Sequence, residues 1–222
     1  MTEINDIDQS VIKSLEDGEG ERDGIFYFQP DWQGRKIIDL ACGSGWLGAG
    51  ALRGGAEFVR FADARSVNFK VPEQVNHSFE LVDINNSEML DHCLRDIDTI
   101  IYSGHFYHAT NHDEILDAFK RSSCLEIFFE SKIFYQQDGY HENFPDTQWI
   151  DEETNSDYNA WHASAESVKV GQPNFKWMHE HLSRRFDIKN FAVFEKQLDS
   201  HFCGNRKIFY KKILFHCVKK SI

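Results

Sequence analysis

The chain has 222 residues, 41% of them hydrophobic and 14% aromatic, with 19 Phe, enough apolar matter for one domain over 1–222 with one substantial core. A net charge of -12 repels a phosphate backbone in general, so a nucleic-acid substrate is disfavoured unless a local basic patch offsets it. No run of about 18 apolar residues suits a membrane span, and the N-terminus is acidic and polar, unlike a secretion signal. The five cysteines, at 42, 93, 124, 203 and 217, are odd in number and lack close pairs, which points to reduced, buried thiols in a cytoplasmic protein.

Residues 1–34 read as an N-terminal cap. Ile4, Ile7, Val11, Ile12 and Leu15 fall at roughly helical spacing, and a link at Gly18, Gly20 and Gly24 follows. The aromatic stretch Ile25-Phe26-Tyr27-Phe28 then serves either to cover a ligand or simply to pack. Next comes Ile37-Ile38-Asp39-Leu40-Ala41-Cys42-Gly43-Ser44-Gly45-Trp46-Leu47-Gly48. Its order is a strand over about 36–41, a tight turn, and a helix over about 45–53 that stops at Gly54-Gly55. Turn glycines let the backbone approach a ligand closely, and the helix N-terminus presents free N–H groups.

This is the pattern of a nucleotide-cofactor loop, and two cofactors compete for it. Gly43-x-Gly45-x-x-Gly48 satisfies the dinucleotide fingerprint, with Asp63 near the offset of a ribose-binding acid. Asp39-Leu40-Ala41-Cys42-Gly43-Ser44-Gly45 resembles motif I of the class I S-adenosylmethionine-dependent methyltransferases. The acid four residues before the first glycine favours this second reading, because a dinucleotide loop is apolar there. The resemblance implies a three-layer, Rossmann-like α/β fold. Its seven-stranded sheet would be mostly parallel and end in a C-terminal antiparallel hairpin. The cofactor implied is S-adenosyl-L-methionine, with S-adenosyl-L-homocysteine as product.

A second strand, Phe58–Ala62, ends at Asp63, and a third, Phe79–Val82, ends at Asp83-Ile84. By the resemblance, Asp39 orients the loop and the methionine ammonium, while Gly43 and Gly45 cradle the methionine part. Asp63 accepts the ribose hydroxyls, since a carboxylate offers two oxygens in one plane. Asp83 meets the adenine amino group and Ile84 packs on the ring, with Ala41, Ala64 and Ser103 completing the cofactor's surroundings. A turn or capping role for these acids is the alternative the residues leave open.

The fourth strand, about 97–102, leads into Ser103-Gly104-His105-Phe106-Tyr107-His108. This resembles the Gly-apolar-Phe/Leu-Tyr-His segment after strand four of several small-molecule methyltransferases and of the tRNA wobble-uridine carboxymethyltransferase. The match is at Gly104, Phe106, Tyr107 and His108, with His105 outside the pattern. Ligands of open α/β sheets bind at the carboxyl ends of strands, so the segment is expected to line the methyl-transfer site. His105 or His108 is the candidate base for a hydroxyl acceptor, and Tyr107 the orienting group. The spacing of His105, His108, His112 and Asp113 suggests a metal, yet the last two open a helix and no Cys pair supports them, so no metal site is expected. That helix runs over about 111–120, with Thr110 and Asp113 as its capping box.

After a fifth strand at 125–129, residues 133–172 show no clean period. They are rich in aromatics and acids, with no Lys or Arg between 133 and 168. So long an aromatic stretch argues for a functional insertion. It is expected to form the acceptor pocket, with Tyr135, Trp149 and Trp161 contacting the acceptor. Aromatic faces stack on sugars and cations, and carboxylates repel phosphates. The acceptor expected is a small polar molecule: a sugar, an amine or an amino-acid-like metabolite. Against this, Lys207, Lys211, Lys212, Lys219 and Lys220 could make one basic rim, which keeps a tRNA-modifying methyltransferase as the alternative. A non-catalytic S-adenosylmethionine-binding module is the third reading. The chain closes with a helix after Pro173-Asn174 to about 185 and strands at 191–194 and 207–218, joined by a turn near Cys203-Gly204-Asn205. Assembly is left between monomer and homodimer.

Overall fold

The computed structural model describes residues 23–66, 69–71, 76–135, 147–153, 167–197 and 209–220. The short helix expected at Ile4 to Leu15, the turn at Cys203-Gly204-Asn205, and Trp161 lie outside them. Strand β1 (Lys36–Leu40) feeds helix α1 (Trp46–Arg53), followed by β2 (Phe58–Asp63), β3 (His77–Leu81) and α2 (Ser87–Cys93). Then come β4 (Thr99–Ser103), α3 (His112–Arg121) and β5 (Glu126–Tyr135). A hairpin of β6 (Thr147–Glu153) and β7 (Ser167–Pro173) precedes α4 (Phe175–Arg185), β8 (Phe186–Gln197) and β9 (Phe209–Lys219).

Seven strands form one sheet in the order β3-β2-β1-β4-β5-β9-β8, while β6 and β7 pair separately. Strands β1 to β5 run parallel, and β9 lies antiparallel to both β5 and β8. The chain winds from β1 out to β3 and returns beside β1 as β4. The reversal opens a crevice at the carboxyl ends of β1 and β4, where open α/β sheets take their ligands.

Alternation along the strands divides the core into two layers. Ile37, Val59, Phe61, Ile101 and Phe128 pack with Leu47, Ala51 and Leu52 of α1 and with Ile25 and Trp32 of the N-terminal segment. On the other face Ile38, Leu40, Ile100, Tyr102, Phe129 and Phe215 pack with α2, α3 and α4 through residues such as Leu90, Phe119 and Met178. Helix α1 lies so close to β2 that a Cβ on Gly48 would run into the Phe61 ring.

Several expected bounds shift. The third strand starts at His77 and ends at Leu81, because β2 sets its register with His77 opposite Val59. The fourth covers 99–103, so Ser103 is in the strand and Ile97-Asp98 is not. The fifth reaches Tyr135 because β9 pairs along its whole length, and the sixth expected strand lengthens to Phe186–Gln197 for the same reason. The irregular insertion contains the β6–β7 hairpin. The capping box at Thr110 and Asp113 does not form. The N-cap is Asn111, with no side-chain cap bond, and Thr110 turns instead to Asn85, whose Oδ1 accepts from its N–H at 3.0 Å and its Oγ1 at 2.8 Å.

Candidate functional site

The glycine loop is built from the strand tips on either side. Helix α1 begins at Gly45, whose φ of 85° is left-handed and which has no side chain to cap the first turn. Asp39, buried inside β1, substitutes for the missing cap: the Gly48 N–H donates to its Oδ2 at 2.8 Å. Asp63 at the end of β2 holds the other side. Its Oδ2 accepts the Gly43 N–H at 2.8 Å and its Oδ1 the Arg65 N–H at 2.9 Å. Between the two clasps the backbone takes left-handed φ at Ala41 (56°) and Gly43 (57°). A side-chain-bearing residue pays for that conformation in strain, which structures hold mainly where function requires it.

Asp83 sits just past β3, where its Oδ1 accepts the Asn85 N–H at 2.9 Å. The cap of α2 is Asn86, whose side chain takes the N–H groups of Glu88 and Met89, so Asp83 is not needed for capping. Ile84 is buried in the helix-side core. Through the Thr110–Asn85 bonds this loop is tied to the segment after β4.

That segment is a tight turn. The Gly104 N–H donates to the Glu130 carbonyl at 3.2 Å, and Phe106–His108 form a short 3-10 turn. Phe106 is buried among Phe129, His112 and Tyr102. Tyr107 and His108 have ring centroids 4.2 Å apart, and His105 and His108 6.0 Å. The Ser103 hydroxyl, only 2% exposed at the tip of β4, has no hydrogen-bond partner among the described residues. A buried hydroxyl left so is costly unless a ligand meets it.

Three features of this edge had no signal in the sequence. His112 is buried in α3, and its Nε2 lies 3.0 Å from the Phe106 carbonyl and 2.9 Å from that of Gly171 in β7. With the Gly171 N–H donating to the Ala109 carbonyl at 3.0 Å, it pins the hairpin to the turn after β4. Both acceptors are carbonyls, so Nε2 carries a hydrogen. Burial holds the His112 pKa below its ordinary value, against the pull of the two carbonyls and Asp113, and with a small push from His181. The second feature is a buried ion pair, Lys212 Nζ to Glu130 Oε1 at 3.0 Å, both side chains at most 4% exposed. The third is Lys132, whose Nζ stands 5.7 Å from the centre of the Tyr107 ring. Glu130 and Lys132 are two apart on β5, and Lys212 faces Lys132 across the ladder, so all three share one face.

The ion pair also corrects the basic rim: Lys212 is spent in the interior, and the Lys219 ammonium donates to the Ser122 carbonyl at 2.7 Å. Of the expected site residues, Asp39, Ala41, Gly43, Gly45, Asp63, Ala64, Asp83, Ser103, His105, Tyr107 and His108 gather at the carboxyl ends of β1 to β4. Tyr135 and Trp149 have their backbone in β5 and β6, and their side chains are outside the described residues. Among the described residues there is no cluster of three or more metal-ligating side chains and no helix long and apolar enough to cross a membrane, and the four cysteines there are buried.

The order of strands, with the loop after β1 facing the turn after β4, can be set against known proteins. No family model matches the chain. A candidate S-adenosylmethionine-dependent methyltransferase from Listeria monocytogenes superposes with a TM-score of 0.59 at 16% identity, covering 94% of this chain and all of that one. The N-terminal domain of EvdMO1, solved with S-adenosylhomocysteine bound, gives 0.59 at 15% identity over 89% of this chain and 80% of its own. The chain has the class I methyltransferase fold. Its sequence is 56% identical to the histidine protein methyltransferase 1 homolog of Bos taurus, but only over 34 residues, 15% of this chain and 9% of that protein.

The residues present suit the cofactor of that fold. A carboxylate has about four lone-pair sites, so Asp63 can hold its two backbone N–H groups and still accept from a ribose. The Ser103 hydroxyl, one residue past the Leu40–Tyr102 pair, has no partner among the described residues.

Proposed function

We propose that this protein is an S-adenosylmethionine-dependent methyltransferase that methylates a hydroxyl or amine of a small polar molecule, in the cytoplasm. The observation that carries the reading is the glycine loop clasped between Asp39 and Asp63 at the sheet's switch point, beside the Ser103 hydroxyl, which has no hydrogen-bond partner among the described residues. In this reading Gly43 and Gly45 cradle the methionine portion, Asp63 takes the ribose and Asp83 the adenine amine. The cofactor supplies an electrophilic methyl group on sulfur. The chain has to align the acceptor with that methyl and exclude water. The turn after β4 and the β6–β7 hairpin do this, with Tyr107 orienting the acceptor and His108 taking the proton from a hydroxyl. An amine acceptor needs only to arrive neutral. Aromatic residues 135, 149 and 161 of the insertion supply stacking faces for such a molecule.

A second reading, methylation of a protein side chain, draws on the short match to a histidine protein methyltransferase. One experiment separates the two. The chain is incubated with methyl-tritiated S-adenosylmethionine and either the small-molecule fraction or the protein fraction of a cell extract. Label in the first fraction supports the small-molecule reading, and label only in protein overturns it. No label in either, with S-adenosylhomocysteine bound tightly, leaves the non-catalytic module.

A further inference from the structure

Tyr102 is the last but one residue of β4 and points into the helix-side core, fully buried. The edges of Phe106, Phe119 and Phe129 enclose its ring, with centroids 6.0, 5.5 and 5.7 Å away. A phenylalanine would fill that space without the burden of a buried hydroxyl, which is unfavourable unless it is bonded. The hydroxyl has one hydrogen-bond partner among the described residues, His105 Nδ1 at 3.0 Å. His105 lies on the turn three residues on, half-buried at the reaction edge.

We propose that Tyr102 fixes the tautomer of His105, keeping the imidazole proton on Nε2, so that His105 meets the acceptor as a hydrogen-bond donor and not as the base. Burial raises the phenol pKa far above its ordinary value, so the hydroxyl keeps its hydrogen and must place it. If Nδ1 carried a proton and donated to the phenol oxygen, the phenol hydrogen would have no acceptor among the described residues, and an unsatisfied buried donor costs more than a bond made is worth. The phenol therefore donates, Nδ1 accepts, and the single proton of the neutral ring sits on Nε2. A donor aimed at the nucleophile's own lone pair would blunt its attack. The acceptor this suits carries a second oxygen, a carbonyl or carboxylate, beside the atom that is methylated. This rests on the reaction edge being the methyl-transfer site, and it leaves the base role to His108. Tyr102 acts through His105 and is a positioning residue.

The test is the nitrogen NMR spectrum of the full chain labelled with 15N-histidine, saturated with S-adenosylhomocysteine and held at about pH 8, above the ordinary histidine range. A His105→Gln sample identifies the His105 signals. Expected are a protonated Nε2 and an unprotonated, hydrogen-bonded Nδ1. A proton on Nδ1, or a doubly protonated ring, overturns the proposal. Replacing Tyr102→Phe is expected to shift Nδ1 and admit the second tautomer, whereas an unchanged His105 spectrum removes Tyr102 from the account. If that variant does not fold, the native spectrum decides alone. Titration of a ligand-free sample of the same labelled chain with S-adenosylhomocysteine tests the function separately: no binding, with the proton still on Nε2, refutes the methyltransferase reading and not the Tyr102–His105 pairing.

Discussion

The two halves of the reaction edge are held together in different ways. The half around the glycine loop is fastened by carboxylates that take backbone N–H groups a short way along the chain, 9 residues for Asp39 and 20 for Asp63. The half beyond β4 is fastened by side chains whose partners come from far off. His112 reaches Gly171, 59 residues away, and Glu130 reaches Lys212 on the last strand. Local clasps make a rigid, generic cradle. Long-range ties make the far half depend on β7 and β9 being in place.

The largest expected effect lies in the distal half. Removing one member of a buried ion pair leaves the other charge uncompensated and typically costs about 3–5 kcal/mol, so Lys212→Met should sharply lower the urea midpoint. The double variant with Glu130→Gln should recover much of that loss, since no charge is then left buried. A double variant as unstable as the single one would mean that the pair does not act as a unit.

In the cradle, Asp63→Asn keeps the size of the side chain and removes its charge. Hydrogen bonds to charged groups contribute about 1.5–3 kcal/mol, so S-adenosylhomocysteine should bind roughly 10- to 100-fold more weakly by calorimetry, with an unchanged circular dichroism spectrum. Unaltered affinity would remove Asp63 from the cofactor site.

His112→Phe tests the tie between hairpin and turn. Loss of a buried hydrogen bond costs about 1–3 kcal/mol, and the Gly171 amide should exchange with deuterium faster while amides of β1 and β4 do not. The same tie has a pH dependence of known sign. Burial lowers the folded pKa of His112 below its unfolded value near 6.5, so its contribution is complete above that value and is lost as pH falls through the lower folded one. Protection at Gly171, its exchange rate set against that of an unstructured amide at the same pH, should therefore fall in acid in the native chain and be flatter with pH in the Phe variant. The smallest effect is at Ala41. Glycine tolerates the left-handed φ there, so Ala41→Gly should relieve roughly 1–2 kcal/mol of strain, offset in part by glycine's greater freedom in the unfolded chain.

The same division explains what the sequence made legible. From the β1 run through Asp63, the loop, its helix and the acid at the strand tip all lie where pattern and resemblance place them, because local propensity and tertiary structure agree there. The class of fold follows from that stretch and from the terminal hairpin. The Thr110–Asp113 box failed because Asn85, distant in sequence, claims Thr110. Lys212 read as part of a basic rim, since the sequence cannot say that the face it occupies is closed over Glu130. The β6–β7 hairpin was hidden by acids and aromatics without alternation. His112 read as the first residue of a helix or a member of a metal spacing, and nothing in its neighbours announces Gly171.

The central claim is that the loop between Asp39 and Asp63 holds S-adenosylmethionine. Thermal unfolding in parallel with S-adenosylhomocysteine, S-adenosylmethionine and NADH tests it most directly. A ligand at about 100 times its dissociation constant adds roughly 2.7 kcal/mol, some 5–10 °C for a chain of this size. The account predicts that shift with both adenosyl-sulfur ligands and none with NADH. A shift with NADH alone would contradict it and return Gly43-x-Gly45-x-x-Gly48 to the dinucleotide fingerprint.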